Sequence, residues 1–158
     1  MHFLFARFRR GIYMSETIRP ADPLTLERIF KAAFDSRDPN DGFVRQFLRH
    51  RVPVHFGGMS DPFQPAESRY RVTESFLRVL AKNQYPVVIS TRSTLVAKEP
   101  YLSLLKENQR TVVQISFCST RGRVARKFEP NSSSPNQLLK AMSDLSKNGI
   151  INHDSRRS

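Results

Sequence analysis

Three short segments rich in β-branched residues centre on Val54, Val88 and Val113, leaving 34 and 25 positions between successive centres. This spacing constrains the fold more than any other feature of the chain. Antiparallel neighbours can be joined by a tight turn, whereas parallel strands need a crossover of about a dozen residues or more, usually a helix. Each gap holds one helical periodicity. Val72, Phe76, Val79 and Leu80 recur at helical spacing before Tyr85-Pro86 closes the first, and Tyr101, Leu102, Leu104 and Leu105 mark a second over 99–108. Beyond the third strand, Ser134-Pro135-Asn136-Gln137 supplies an N-cap, a first-turn proline and a capping-box amide. Leu138, Leu139, Met142 and Leu145 continue that helix to Gly149. Upstream, Asp22-Pro23 opens a helix with Leu24, Ile29, Phe30, Ala33 and Phe34 on one face, and 41–50 predicts a short helix burying Phe43, Phe47 and Leu48. The pattern reads βαβαβα, an α/β fold with parallel strands.

All three strands end in polar residues. The first, 52–56, runs into a loop over 57–67 in which Gly57, Gly58 and Asp61-Pro62 allow a sharp turn and close approach to a ligand. Asp61 and Glu67 place carboxylates beside that opening, suited to an amino or hydroxyl group. The second strand ends in Ser90, Thr91, Arg92, Ser93 and Thr94, and the third passes through Gln114 to Ser116. In parallel α/β sheets ligands gather at the carboxyl ends of strands, so these residues form one candidate site. His55 alternates in facing with Val54 and Phe56 and is expected to be a satisfied interior histidine. His2, His50 and His153 have no cysteine or acid at metal spacing. No Walker loop, dinucleotide fingerprint or Ser-His-Asp order occurs, which excludes those chemistries at the level of motif.

A chain of 158 residues with 39% hydrophobic content sustains one domain and a modest core. Cys118 is its single cysteine, which excludes an internal disulfide framework and suits a reducing cytoplasm. No apolar run approaches the ~18 residues of a membrane span. Twenty-six Lys and Arg against 14 Asp and Glu give a net charge of +12, so DNA bound through a basic surface is a candidate partner. The arginines are scattered, Arg7-Phe8-Arg9-Arg10 and Arg121-Gly122-Arg123 apart, and a merely solvated basic surface is the simpler reading.

The order of motifs carries a resemblance. Gly57-Gly58-Met59-Ser60-Asp61-Pro62-Phe63-Gln64-Pro65-Ala66-Glu67, then Ile89-Ser90-Thr91-Arg92-Ser93-Thr94, then Val113-Gln114-Ile115-Ser116-Phe117, then Arg126-Lys127-Phe128-Glu129-Pro130, then the helix to Ile150 resemble the radical S-adenosylmethionine (AdoMet) superfamily. Within it they are similar to the spore photoproduct lyase-like, or DNA repair photolyase, group. The resemblance implies part of a (β/α)6 TIM-like barrel, AdoMet and a [4Fe–4S] cluster as cofactors, and reductive cleavage of AdoMet by full-length relatives. It assigns Gly57, Gly58 and Asp61 to the loop near the methionyl amino group, and Arg92 and Ser116 to positions near the carboxylate and ribose. Glu129 matches a recurring Glu-Pro, its carboxylate orienting a ligand or pairing with Arg126. Leu4-Phe5-Ala6-Arg7 resembles the end of the cluster loop, with Leu4 where a cysteine is expected. One thiol cannot hold a cluster that needs three. The expectation is therefore a partial barrel domain over 1–150, lacking the cysteine loop and the last strands, followed by a disordered polar tail over 151–158. Such a chain is catalytically impaired; the alternative is a non-catalytic basic module that binds nucleic acid or another partner.

Overall fold

A computed structural model describes residues 5–6, 19–35, 42–58, 60–117, 119, 121–128 and 132–154. In chain order its elements are β1 (Phe5–Ala6), β2 (Arg19–Pro20), α1 (Pro23–Asp35), α2 (Phe43–Arg49), β3 (Val54–Phe56), α3 (Glu67–Tyr70), α4 (Val72–Lys82), β4 (Val87–Thr91), α5 (Tyr101–Glu107), β5 (Thr111–Ile115), α6 (Gly122–Phe128), α7 (Pro135–Lys147) and β6 (Ile151–Asp154). A 3₁₀ turn over Thr94–Ala97 separates β4 from α5, its start capped by Ser93 Oγ. β1 and β2 form a small antiparallel ribbon. The other four strands make one parallel sheet in the order β3-β4-β5-β6, so each helical crossover delivers the chain to the adjacent position. The α/β parallel architecture expected from the strand spacing is present.

Strand burial alternates, as a two-residue period dictates. Val87, Ile89 and Thr91 of β4, and Thr111, Val113 and Ile115 of β5, are buried, while Val88, Ser90, Val112 and Gln114 are only half-buried. The buried set packs with Phe76 and Leu80 of α4, Leu104 and Leu105 of α5, and Leu138 and Leu145 of α7 in one core. Helices thus cover one face of the sheet. Phe30 of α1 joins them, its ring edge-on to Tyr85 at 5.0 Å. Tyr85, fully buried, donates its hydroxyl to the Val52 carbonyl at 2.7 Å, which fixes the entry into β3.

Three expectations differ from the structure. Residues 151–154, expected to belong to a polar tail, form β6, paired in register with Val112 to Ile115. On α2 only Leu48 of the expected stripe is buried; Phe43 is 72% exposed and its ring lies tilted against that of Phe47 instead, at 4.3 Å. On α1, Leu24 and Phe34 lie outside the core while Phe30 and Ala33 lie within it. A seven-residue amphipathic helix ordinarily buries three to four side chains over its two turns, but α2 turns only Leu48 inward.

Candidate functional site at the strand carboxyl ends

The loop after β3 turns back over the sheet at Gly57, whose φ is +103°. A Cβ there would lie 1.9 Å from the Ser90 carbonyl oxygen. Backbone meets backbone at this point, and only glycine permits it. Gly58 is different, because its nearest neighbour would be the His55 ring at 3.8 Å, which leaves its backbone open to approach.

Asp61 ties this loop to β4. Its Oδ1 accepts from the Phe63 amide and the Thr91 hydroxyl, each at 2.8 Å, and its Oδ2 accepts from the Arg92 amide at 2.7 Å. Three charge-assisted bonds to donors 2, 30 and 31 positions away make the carboxylate a bracket between two strand ends. The Thr91 carbonyl in turn accepts from the Ser116 amide at 3.0 Å. Gly57, Gly58, Asp61, Arg92 and Ser116, singled out in the sequence, therefore share one rim at the carboxyl ends of β3, β4 and β5. Arg92 is exposed there and supplies positive charge. Arg121, Arg123, Arg126 and Lys127, on and beside α6 beyond β5, are exposed as well.

Glu67 does not serve the opening. It is 0% exposed and turned into the core, where it accepts from the amides of Thr73 (2.9 Å) and Glu74 (3.0 Å) and from the Tyr101 hydroxyl (2.8 Å). These amides belong to the first turn of α4, whose N-terminus the carboxylate caps. Arg71, in the left-handed region at φ 47°, folds α3 back so that Glu67 reaches them. Burial, reinforced by the bond to Glu67, pushes the Tyr101 hydroxyl well above its ordinary pKa.

His55 is not interior. It stands exposed on the sheet face opposite the core helices, with Nε2 2.8 Å from Ser90 Oγ, and Ser90 Oγ donates to Gln114 Oε1 at 2.8 Å. Motif reading missed this run across three strands because its members lie 35 and 24 positions apart. The available signal was the polar residue at alternate strand positions. Leu4, Cys118 and Glu129 fall outside the described residues. Among the described residues no cluster of three His, Cys, Asp or Glu is placed to hold a metal, and no helix is long and apolar enough to cross a membrane.

No family model matches the chain. It is 26% identical over 100 residues to an uncharacterized protein of Methanocaldococcus jannaschii, a match covering 63% of this chain and 38% of that protein. A solved structure described as native anSMEcpe with bound AdoMet superposes with a TM-score of 0.51 at 12% identity, covering 96% of this chain and 41% of that one. The chain thus spans about two fifths of the length of each. Its fold is shared with part of an AdoMet-binding protein.

Proposed function

We propose that this chain is a portion of a radical AdoMet-type barrel and that its strand-end rim is an AdoMet contact surface. The bracket from Asp61 carries the reading, because it holds the Gly57-Gly58 loop against the Arg92 amide at 2.7 Å on a parallel sheet of the shared fold. The open backbone at Gly58 suits a close ligand, and Arg92 supplies a cation for a carboxylate. Asp61 acts by shaping this rim, since its oxygens already accept three internal bonds. The order of motifs favours the spore photoproduct lyase-like group within that superfamily, with DNA repair as the inherited role.

A [4Fe–4S] cluster does not fit the residues of this chain. Such a cluster needs at least three thiolates and the sequence has one cysteine. No step through a cluster is assigned here, and affinity for AdoMet rests on the protein contacts alone. Titration of isotope-labelled chain should show weak, saturable binding that shifts the amides of Gly58, Arg92 and Ser116, weakened further by Arg92→Ala. Absence of any shift in these amides at millimolar AdoMet would overturn the proposal.

The basic surface favours a second reading, a nucleic-acid-binding module. Four exposed cations at 121, 123, 126 and 127, on and next to α6, support it. Duplex DNA should then bind without sequence preference and dissociate steeply as salt rises, as counterion release requires. Binding no stronger than that of an uncharged polymer at low salt would dismiss this reading.

A further inference from the structure

The rim loop over 57–67 holds two carboxylates, and both are spent on the fold. Asp61 accepts three internal bonds, and Glu67 is buried with its oxygens on the Thr73 and Glu74 amides and the Tyr101 hydroxyl. The methionyl ammonium of AdoMet, which carries donors only, needs an acceptor in their stead. Gly58 shows where one stands. A Cβ placed there would lie 3.8 Å from His55 Nδ1 and 4.0 Å from His55 Cε1, with nothing else inside 4 Å. The space left by the missing side chain is thus walled by the Nδ1 edge of the imidazole, and both residues are exposed.

The neighbouring strands decide which ring nitrogen carries the proton. Ser90 Oγ has one proton and gives it to Gln114 Oε1 at 2.8 Å, so the 2.8 Å contact between His55 and Ser90 is a donation from Nε2. A neutral imidazole that donates from Nε2 keeps its lone pair on Nδ1, the nitrogen beside Gly58. Ser90 and Gln114 therefore act on the rim through the ring.

Resting on the AdoMet reading of the rim, we propose that His55 is a further ligand residue, whose Nδ1 accepts a hydrogen bond from the α-ammonium of AdoMet across the bare backbone of Gly58. Ser90 and Gln114 are positioning residues that hold the ring in its accepting tautomer. A side chain at position 58 would occupy the space between acceptor and ammonium, which gives the second glycine a reason that its conformation does not. With Arg92 as the cation for the carboxylate, the rim distinguishes the intact amino-acid end of AdoMet from one that lacks its amine.

Nuclear magnetic resonance of the isotope-labelled chain tests this with AdoMet and with its deamino analogue, in which hydrogen replaces the α-ammonium. The unligated ring should show a protonated Nε2 and a bare Nδ1, and AdoMet should move the Nδ1 signal to saturation. AdoMet should bind about tenfold more tightly than the analogue, the worth of one hydrogen bond. In His55→Phe this preference should vanish while AdoMet still shifts the Arg92 and Ser116 amides, and His55→Gln, which keeps an acceptor, should recover most of it. Gln114→Leu releases the Ser90 proton toward His55 and should also abolish the preference. A wild-type ring protonated on Nδ1, equal affinity of the wild type for both ligands, or an undiminished preference in His55→Phe overturns this assignment and leaves the AdoMet reading standing. Absence of any amide shift with either ligand overturns both.

Discussion

At the scale of single residues, two adjacent glycines separate conformational need from mere openness. Gly57→Ala places a methyl 1.9 Å from a backbone oxygen at a φ of +103°, so the loop must move. We expect a loss of about 3 kcal/mol in unfolding free energy. Gly58→Ala meets only the His55 ring at 3.8 Å and should change stability by less than about 1 kcal/mol. Urea denaturation of both variants checks the contrast, and equal losses would remove the special role of Gly57. Tyr101 gives a pH prediction. Its folded pKa is raised, by burial first and then by Glu67, so at alkaline pH the unfolded state releases this proton before the folded state does. Stability from this group is intact below about pH 10, the ordinary tyrosine value, and falls above it by about 1.4 kcal/mol per pH unit. Tyr85, raised by burial, adds to the same limb. Tyr101→Phe should flatten the alkaline decline by about one proton's slope in denaturation curves taken across that range. The candidate loop was legible at this scale, since Gly-Gly and Asp-Pro announce a turn. The inward direction of Glu67 was not, because it depends on Arg71 adopting a left-handed conformation that no neighbouring residue dictates.

Among the elements, one junction recurs where helices hand over to strands. After α2, α4 and α7 the chain places Arg51, Gln84 and Gly149 in the left-handed region, with φ of 52°, 45° and 75°. In each case the next amide, of Val52, Tyr85 or Ile150, returns to the carbonyl five positions back, of Phe47, Leu80 or Leu145. This closing turn satisfies helix carbonyls and aims the chain at the sheet. Only Gly149 was readable in advance, since glycine bears the conformation freely. Arg51 and Gln84 are held by side-chain bonds, Arg51 to the Asn83 and Gln84 carbonyls and Gln84 to those of Ala81 and Glu107. Such long-range compensation leaves no trace in local sequence. The start of α7 was legible in full: Ser134 caps it, Gln137 returns to the Ser134 amide at 2.8 Å, and Pro135 occupies the first turn. Ser134→Ala should cost about 1 kcal/mol, measured by urea denaturation, and a loss near zero would show the box to be redundant with packing. β6 was not legible because it is an edge strand of four residues with Ile151 its one aliphatic side chain, and its pairing with β5 supplies what its composition lacks.

For the whole molecule, the described part of the sheet has one face packed by helices and the other carrying the polar side chains of His55, Ser90 and Gln114, with β3 and β6 at its edges. The strand spacing of 34 and 25 positions foretold this parallel order, because each gap had room for a crossover helix. Function depends on a different count. A cluster that activates AdoMet needs thiolates converging from one loop, and this sequence offers Cys118 as its only cysteine, 114 positions beyond Leu4. Anaerobic incubation of the chain with iron, sulfide and reductant should therefore leave it without the absorbance and paramagnetic signal of a [4Fe–4S] cluster, and AdoMet added to it should yield no 5′-deoxyadenosine. The two readouts separate two outcomes. Cluster formation without product would place adventitious ligands on the chain, whereas product formation would require a ligand set drawn from residues other than cysteine and would overturn the assignment of AdoMet contact without cleavage.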